Sequence, residues 1–318
     1  MQVAIVGAGI AGLSCASRLA DRGLKTALFD KGNRPGGRLS TLVIDDMEWD
    51  FGAQFIENPQ EPFSAALNDW IGAGLVAPWH GGPEHSFVPV PHMQSLVAAL
   101  CNGHDVTFGA AVQQIERRPG GWFVRGADFA SGPYDAVVIA TPAEQAAPLL
   151  SLHDLVLARE AAAVRSAPCW TAMVGFGEPL PNVPVTIGDR DGVIWAARNT
   201  SKPRRGSAEC WVLEAGPEWS RQNLEEARED VATQLLALFA AEAGISLPEP
   251  TFLKAHRWRF ARPHGTAGRT LWNERLHLGA CGDWCIDATI AGAWQSGTAL
   301  GERIAAELAP KQAAKDVA

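Results

Sequence analysis

The stretch Met1-Gln-Val-Ala-Ile-Val-Gly7-Ala-Gly9-Ile-Ala-Gly12 runs an apolar, buried-type strand directly into a Gly-x-Gly-x-x-Gly turn and then into a helix predicted over Ile10 to Ala20. A junction of this spacing is built to hold a pyrophosphate. Gly7 lets the chain turn tightly off the strand, Gly9 has no side chain to keep phosphates from the backbone, and Gly12 allows close helix-strand packing. The helix N-terminus, with Ile10 and Ala11 in its first turn, points unpaired N–H groups and a positive dipole end at the anion. A second strand, Thr26-Ala-Leu-Phe-Asp30, follows and sets Asp30 where an acid binds the ribose hydroxyls of a dinucleotide. The order strand, glycine turn, helix, strand predicts a Rossmann-type α/β domain.

The segment after Asp30 selects among dinucleotides. Lys31-Gly-Asn-Arg-Pro-Gly36-Gly37-Arg38 adds a second glycine pair and a cation, for which nicotinamide-dependent Rossmann enzymes have no standard use. Flavoproteins lay such a loop along a pyrophosphate and ribityl chain, the glycines permitting close approach and Arg38 offering a planar fork of donors. Three further segments fit a flavin site. Trp49-Asp-Phe-Gly52-Ala53-Gln54-Phe55 embeds a glycine and an amide in an apolar run, suited to a chain passing beside a flavin ring. Tyr134-Asp-Ala-Val-Val-Ile-Ala140-Thr141-Pro142 is a buried strand ending in small residues that leave room for a cofactor. Leu276-His-Leu-Gly-Ala-Cys-Gly282-Asp283-Trp284 places an acid for the ribityl or pyrophosphate region. Ile290-Ala-Gly292-Ala293-Trp294 then opens a helix to about Glu307, whose dipole would face the flavin N1 and C2 carbonyl.

Taken in this order, these segments resemble the FAD-dependent amine oxidase superfamily and, within it, the bacterial renalase-like oxidases. The resemblance extends through Asp30-Lys31, Gly36-Gly37-Arg38, Asp50-Phe-Gly-Ala-Gln54-Phe55, Ala197-Arg198-Asn199-Thr-Ser-Lys202-Pro203, Glu218-Trp219-Ser-Arg221-Gln-Asn223-Leu, His256-Arg257-Trp258, Ala261-Arg262-Pro263 and Cys281-Gly-Asp-Trp284. Pro35 departs from the small polar residue usual before the glycine pair. The resemblance implies noncovalent FAD, with Gly7, Gly9, Ile10, Ala11, Gly12, Asp30, Lys31, Gly37, Arg38, Gly52, Ala53, Gln54, Thr141, Gly282, Asp283, Gly292 and Ala293 as its contacts and Val112 meeting the adenine through its backbone. It also implies oxidation of isomeric (2- or 6-) dihydro-NAD(P) to NAD(P)+ by hydride transfer to flavin N5, with oxygen reduced to hydrogen peroxide. The alternatives on the same scaffold are an amine or protoporphyrinogen-type oxidase and a non-catalytic flavin-binding redox protein. Covalent flavin through Cys281 or Cys285 is a variant of any of these.

Composition bounds the partners. The chain has 318 residues, a 47% hydrophobic fraction and a formal net charge of −8, values of a globular protein of about two domains and not of a nucleic-acid binder. No apolar run reaches the roughly twenty residues of a membrane span, and no signal peptide precedes the first strand, so a cytoplasmic location is expected. Six scattered cysteines suit reduced thiols, and neither they nor His80, His85 and His92 have metal-site spacing, so no metal is expected. Lys202-Pro-Arg204-Arg205 is the densest basic cluster and suits either nucleotide phosphates or a solvated loop.

Twelve tryptophans accompany a single tyrosine, Tyr134. Monoamine oxidases cage their amine between two aromatics, usually tyrosines, so an amine cage is poorly supported. Trp258 and Trp284 are the best candidates to stack on a flat heteroaromatic ring, with His256 and Arg198 as the polar residues near it. Hydride removal from a dihydropyridine needs no strong base, which suits His256 to orientation.

Apolar and polar residues alternate from about Ala167 to Trp258, predicting an antiparallel sheet with one wet face, followed by a helix over Leu224 to Ala243. Helices are expected around Pro62 to Ala73 and over Met93 to Leu100, with a strand pair at Val112 to Glu116 and Gly121 to Arg125. The expected division is an FAD-binding domain of 1–57, 92–145 and 268–318 and a substrate domain of 58–91 and 146–267. Lys311 to Ala318 would be a frayed tail.

Overall fold

The computed structural model describes residues 1–57, 60–264 and 270–309; the expected tail from Lys311 lies outside them. Its first strand, Gln2–Val6, is flanked by parallel partners on both sides, Lys25–Phe29 and Ala136–Ile139. A strand in that position needs apolar side chains on both faces. Val3 and Ile5 pack with the first helix, Ile10–Asp21, and with the helix Ile290–Leu308. Ala4 and Val6 pack on the opposite side with a three-stranded sheet and the helices Ala143–Ser151 and Leu155–Ala163. Asp105–Thr107 and Leu278–Ala280 extend the sheet in parallel, and Leu271–Asn273 closes one edge antiparallel, giving six strands. This is the expected Rossmann-like layer.

The predicted strand from Tyr134 divides. Ala130–Tyr134 joins Gly121–Arg125 and Gln114–Arg118 in the three-stranded sheet, and only Ala136–Ile139 enters the main one. Phe63–Gly72 and Met93–Cys101 are the two expected helices. Between them, the Gly/Pro-rich stretch expected as a connector contains the strands Val76–Pro78 and Ser86–Pro89, which pair with each other, and Ser86–Pro89 also pairs with Ile56–Glu57.

The second large sheet is antiparallel, in the order Thr186–Gly188, Ile194–Arg198, Glu209–Ala215, Arg165–Phe176, Phe252–His264. The expected wet face is corrected here. Glu209–Ala215 is buried at every position, and Arg165–Phe176 from Ala167 onward. One face, with Trp170, Val174, Trp211 and Leu213, packs on the helix Arg228–Ala243 through Val231, Leu235 and Phe239. The other packs Met173, Cys210 and Val212 on Trp49, from the hairpin Thr41–Ile44/Met47–Asp50. Covering both faces turns polar residues of the alternation into internal groups that need partners.

The helix expected from Leu224 starts at Arg228, behind a separate short helix, Pro217–Gln222. The cause is local hydrogen bonding: the Trp170 indole donates to the Asn223 carbonyl at 2.9 Å, and Ser220 Oγ accepts the Trp170 N–H at 3.0 Å. These bonds fasten the segment to the sheet and interrupt a continuous helix.

The first helix and Ile290–Leu308 touch at Gly297 and Gly301. A methyl group on Gly297 would lie 2.0 Å from the Ala11 carbonyl oxygen, and one on Gly301 2.8 Å from that of Cys15. Backbone contact this close fixes how the two helix N-termini sit beside each other. Among the described residues no helix is long and apolar enough to cross a membrane.

Candidate cofactor and substrate site

The N-termini of these two helices open into one cavity, continuous with solvent. Gly9, Ile10 and Ala11 line it from the first helix, and Thr289, Ile290 and Ala293 from the second. The glycines of the first turn divide their tasks. A Cβ on Gly12 would meet the Gly7 carbonyl oxygen at 2.1 Å, whereas one on Gly9 would meet nothing within 4 Å. Gly12 therefore serves packing, and Gly9 leaves backbone open to the cavity. Gly9 caps a helix with no side-chain cap and no acid in its first turn, so its N–H groups have no competing internal anion. The second helix is capped by Thr289, whose Oγ1 accepts the Gly292 N–H at 2.9 Å.

Arg38 and Asp283, from opposite ends of the chain, form a bidentate pair in the wall at 2.6 and 2.7 Å. Arg38 Nη1 also donates to the Ala261 carbonyl at 3.0 Å, tying the glycine-pair loop to the strand Phe252–His264. Gly52, Ala53, Thr141 and Gly282 complete the part of the wall expected from sequence, and Trp258 faces it from the antiparallel sheet. The Trp258 indole donates to the Phe51 carbonyl at 2.8 Å and its ring stacks on Phe51 at 5.5 Å, which fixes its orientation. The Thr141 hydroxyl is buried with no hydrogen-bond partner among the described residues.

Other expected residues lie behind this surface. Asp30 accepts the Ala8 and Gly32 N–H groups at 2.8 and 2.7 Å, beside the first glycine turn and outside the cavity wall; Lys31 is exposed. Gly37 lies against Gly9, and Val112 is half-buried at the edge of the core around the three-stranded sheet. Gln54 turns inward, its amide donating to the Asp50 and Gly52 carbonyls. Gly292 packs against Asp287, and Trp284 is buried with its indole donating to the Thr141 carbonyl at 3.0 Å. His256 stacks edge-on behind Trp258 at 4.3 Å and on Phe51 at 5.1 Å. Burial, with Arg228 and Lys254 nearby, pushes its imidazole down to about 4, so it is neutral at neutral pH. Arg198 is held within the sheet, donating to the Leu180 and Val183 carbonyls and lying 3.3 Å from Glu209. It does not line the cavity.

Arg190, Glu214, Arg262 and Cys169 line the wall without having been singled out as site residues. Glu214 was the findable one, as an acid inside the apolar run Cys210-Trp-Val-Leu-Glu214-Ala. Arg190 sits in a turn with no periodicity to mark it. Burial pushes the Cys169 and Cys285 thiols up to about 12, and Cys281 also well above its ordinary range; all three are protonated at neutral pH.

The basic cluster is divided by the fold. Lys202 and Arg205 are buried around Asp50: Lys202 Nζ donates to Asp50, Gln54 and Asn199 at 3.1–3.2 Å, and Arg205 Nη2 to Asp50 at 2.7 Å. Thr41 Oγ1 and the Met93 N–H occupy the other Asp50 oxygen. Burial lowers Lys202 to about 8 against the opposing pull of Asp50, while the two cations hold the Asp50 carboxyl well below its ordinary range.

Comparison with known proteins gives these features a family. The model of an NAD(P)-binding Rossmann-like domain matches residues 5–70, and that of flavin containing amine oxidoreductase matches residues 78–305. A zeta-carotene-forming phytoene desaturase of Myxococcus xanthus is 39% identical over 59 residues, 19% of this chain and 11% of its own. A 4,4'-diapophytoene desaturase of Staphylococcus aureus (strain Newman) is 37% identical over 59 residues, 19% and 12%. The chain thus spans about a tenth of the length of these curated relatives. Among solved structures, a protein assigned as a protoporphyrinogen oxidase from Exiguobacterium sp. 255-15 is similar with TM-score 0.77 at 15% identity, and cyclohexylamine oxidase from Brevibacterium oxydans IH-35A with 0.74 at 13%. Each alignment covers 96% of this chain and 99% of the other, a likeness of fold. With the family model covering most of its length, the chain belongs to the flavin containing amine oxidoreductases.

Proposed function

We propose that this protein holds FAD noncovalently and oxidises isomeric (2- or 6-) dihydro-NAD(P) to NAD(P)+, with oxygen reduced to hydrogen peroxide. The observation that carries the reading is the make-up of the cavity wall: one fixed tryptophan face, Trp258, beside the guanidiniums of Arg190 and Arg262. Such a wall suits a flat, reduced ring bearing an anion and disfavours a cationic amine. The single tyrosine, Tyr134, is buried in the three-stranded sheet beside Ser131, so no tyrosine pair can cage an amine.

The residues fit a flavin dinucleotide. The backbone open at Gly9, the two helix N-termini and the unpartnered Thr141 hydroxyl are the groups a phosphate-bearing, polar cofactor would satisfy. Gly9, Gly37, Arg38 and Asp283 would hold it, with Gly52, Ala53 and Ala293 close to its ring and Asp30 near the adenosine end. FAD supplies a two-electron hydride acceptor that passes its electrons to oxygen. Trp258 orients the substrate ring, and Phe51 and His256 hold Trp258. His256, being neutral, neither donates a proton nor adds charge, which a hydride transfer does not require. Cys281 and Cys285 are buried and do not border the cavity, in keeping with noncovalent flavin. The proposed division is a cofactor domain of 1–57, 92–145 and 268–318 and a substrate domain of 58–91 and 146–267. Six free thiols accord with a cytoplasmic location.

The test is the visible spectrum of the purified protein, followed anaerobically by an isomeric dihydro-NAD mixture. Bleaching of the flavin band, its return in air and peroxide formation are expected. A band that responds only to primary or secondary amines would move the reading to an amine oxidase, and one that responds to no metabolite to a flavin-holding protein.

A further inference from the structure

The cavity wall supplied by the antiparallel sheet carries a second charge arrangement, besides Arg38 and Asp283. Arg190 lies in the turn between Thr186–Gly188 and Ile194–Arg198, and Arg262 on Phe252–His264. Both approach one oxygen, Glu214 Oε2, at 3.4 Å. Arg262 also reaches the Arg190 carbonyl, again at 3.4 Å. Charge-assisted pairs ordinarily close to about 2.7–2.9 Å, as Arg38 and Asp283 do in the same cavity. Glu214 therefore keeps the two guanidiniums together through one long, weak bond to an Nη2 of each. Arg190 Nε is buried and has no partner among the described residues. Arg190 is braced over Phe55 and Trp195 at 5.0 and 5.4 Å and tied at its outer edge to Glu57 at 2.6 Å, so it is fixed in place and not free on the surface. The cavity wall as a whole has three arginines against two carboxylates, in a chain whose net charge is −8. A preplaced fork of donors with spare capacity is what recognition of a phosphate or carboxylate needs.

We propose that Arg190 and Arg262 recognise an anionic group, phosphate or carboxylate, on the substrate whose ring lies on Trp258, with Glu214 as the internal counterion that the anion displaces. This deepens the dihydro-dinucleotide reading and rests on it, since that substrate carries a pyrophosphate.

The experiment titrates the flavin-loaded protein with ADP-ribose, inorganic pyrophosphate, citrate and, as a neutral control, adenosine, reading the perturbation of the flavin band at low and high salt. The anions are expected to bind and to weaken with salt. Arg262→Ala and Arg190→Ala should each raise their Kd about tenfold or more, the scale of one charged hydrogen bond, with flavin content unchanged. Arg262→Lys should restore part of the loss, and Glu214→Gln should tighten anion binding several-fold. Should Arg262→Ala fail to retain flavin, Arg262→Lys carries the comparison, because it keeps the charge and loses the fork. Equal binding of adenosine and the anions, or unchanged Kd in the arginine variants, overturns the proposal. Binding of pyrophosphate and ADP-ribose without citrate identifies a phosphate; citrate bound more tightly identifies a carboxylate-bearing substrate and keeps the recognition site. Arginine-dependent anion binding without dihydro-NAD oxidation would end the functional reading alone. Dihydro-NAD oxidation with KM unaltered in both arginine variants would end this inference alone.

Discussion

Two clusters in this molecule have the same ingredients, two cations sharing one carboxylate oxygen, and opposite characters. At Asp50, Lys202 and Arg205 converge on Oδ2 at 2.7–3.2 Å, Thr41 and Met93 fill Oδ1, and Lys202 spends its remaining donors on Gln54 and Asn199. The ionic side chains are wholly buried. At Glu214, itself buried, Arg190 and Arg262 stand at 3.4 Å, keep 29% and 26% of their side-chain surface and border the cavity. The first cluster is closed, since its charges have left water and each hydrogen-bonding position is taken. The second is open and retains donors for a ligand. Residue type does not separate a structural ion cluster from a recognising one; the filling of hydrogen-bonding positions and the access to solvent do.

The closed cluster breaks most expensively at its anion. Asp50→Ala leaves two buried cations without a counterion and should cost about 3–5 kcal/mol in chemical denaturation; a loss below about 1 kcal/mol would show that the cluster is solvated and not closed. Lys202→Met should cost less, about 1–3 kcal/mol by the same measurement, because Asp50 keeps Arg205, Thr41 and the Met93 N–H. A cost equal to that of Asp50→Ala would make the lysine the centre of the cluster.

His256 touches both regions, stacking on Phe51, next to Asp50, and on Trp258 at the cavity. Its imidazole is lowered to about 4 from an ordinary 6.5. Between those values the unfolded chain binds a proton that the folded protein does not. Its contribution to stability is therefore full above about pH 6.5, falls as the pH drops and is lost below about pH 4, amounting to roughly 1 kcal/mol once the screening of a half-exposed ring is counted. Melting curves of the wild type and His256→Gln across this window should converge toward the acid end, and parallel curves would refute the assignment. The open cluster should respond weakly, because glutamine keeps an acceptor oxygen for both guanidiniums: Glu214→Gln should cost about 0.5–1.5 kcal/mol. A loss as large as that of Asp50→Ala would erase the distinction between the clusters.

Much of the wall built by the Rossmann-like layer was legible because it is local. Gly7, Gly9 and Gly12 follow a strand and open a helix within twelve residues, and Arg38, Gly52, Thr141, Asp283 and Ala293 each sit in a short motif with its own chemical logic. Where the fold turned an expected residue away from the cavity, a distant segment had intervened. Arg198 and Gln54 look like site residues as polar groups beside apolar runs, and the fold spends both on internal carbonyls and, for Gln54, on Lys202. Lys202 and Arg205 read as a group for nucleotide phosphates or as a solvated loop until Asp50, about 150 positions earlier in the chain, buries them. The wet face expected of the second sheet is lost in the same way, to the hairpin carrying Trp49.

The sequence by itself determined the Rossmann-like layer, the antiparallel sheet and the flavoprotein family, because glycine spacing, strand periodicity and helix openings act over a few neighbouring residues. Only the tertiary structure decided which of two similar basic groups is sealed and which faces the cavity. That outcome depends on carboxylates and carbonyls brought from distant strands, and on whether those partners close every hydrogen-bonding position before a ligand arrives.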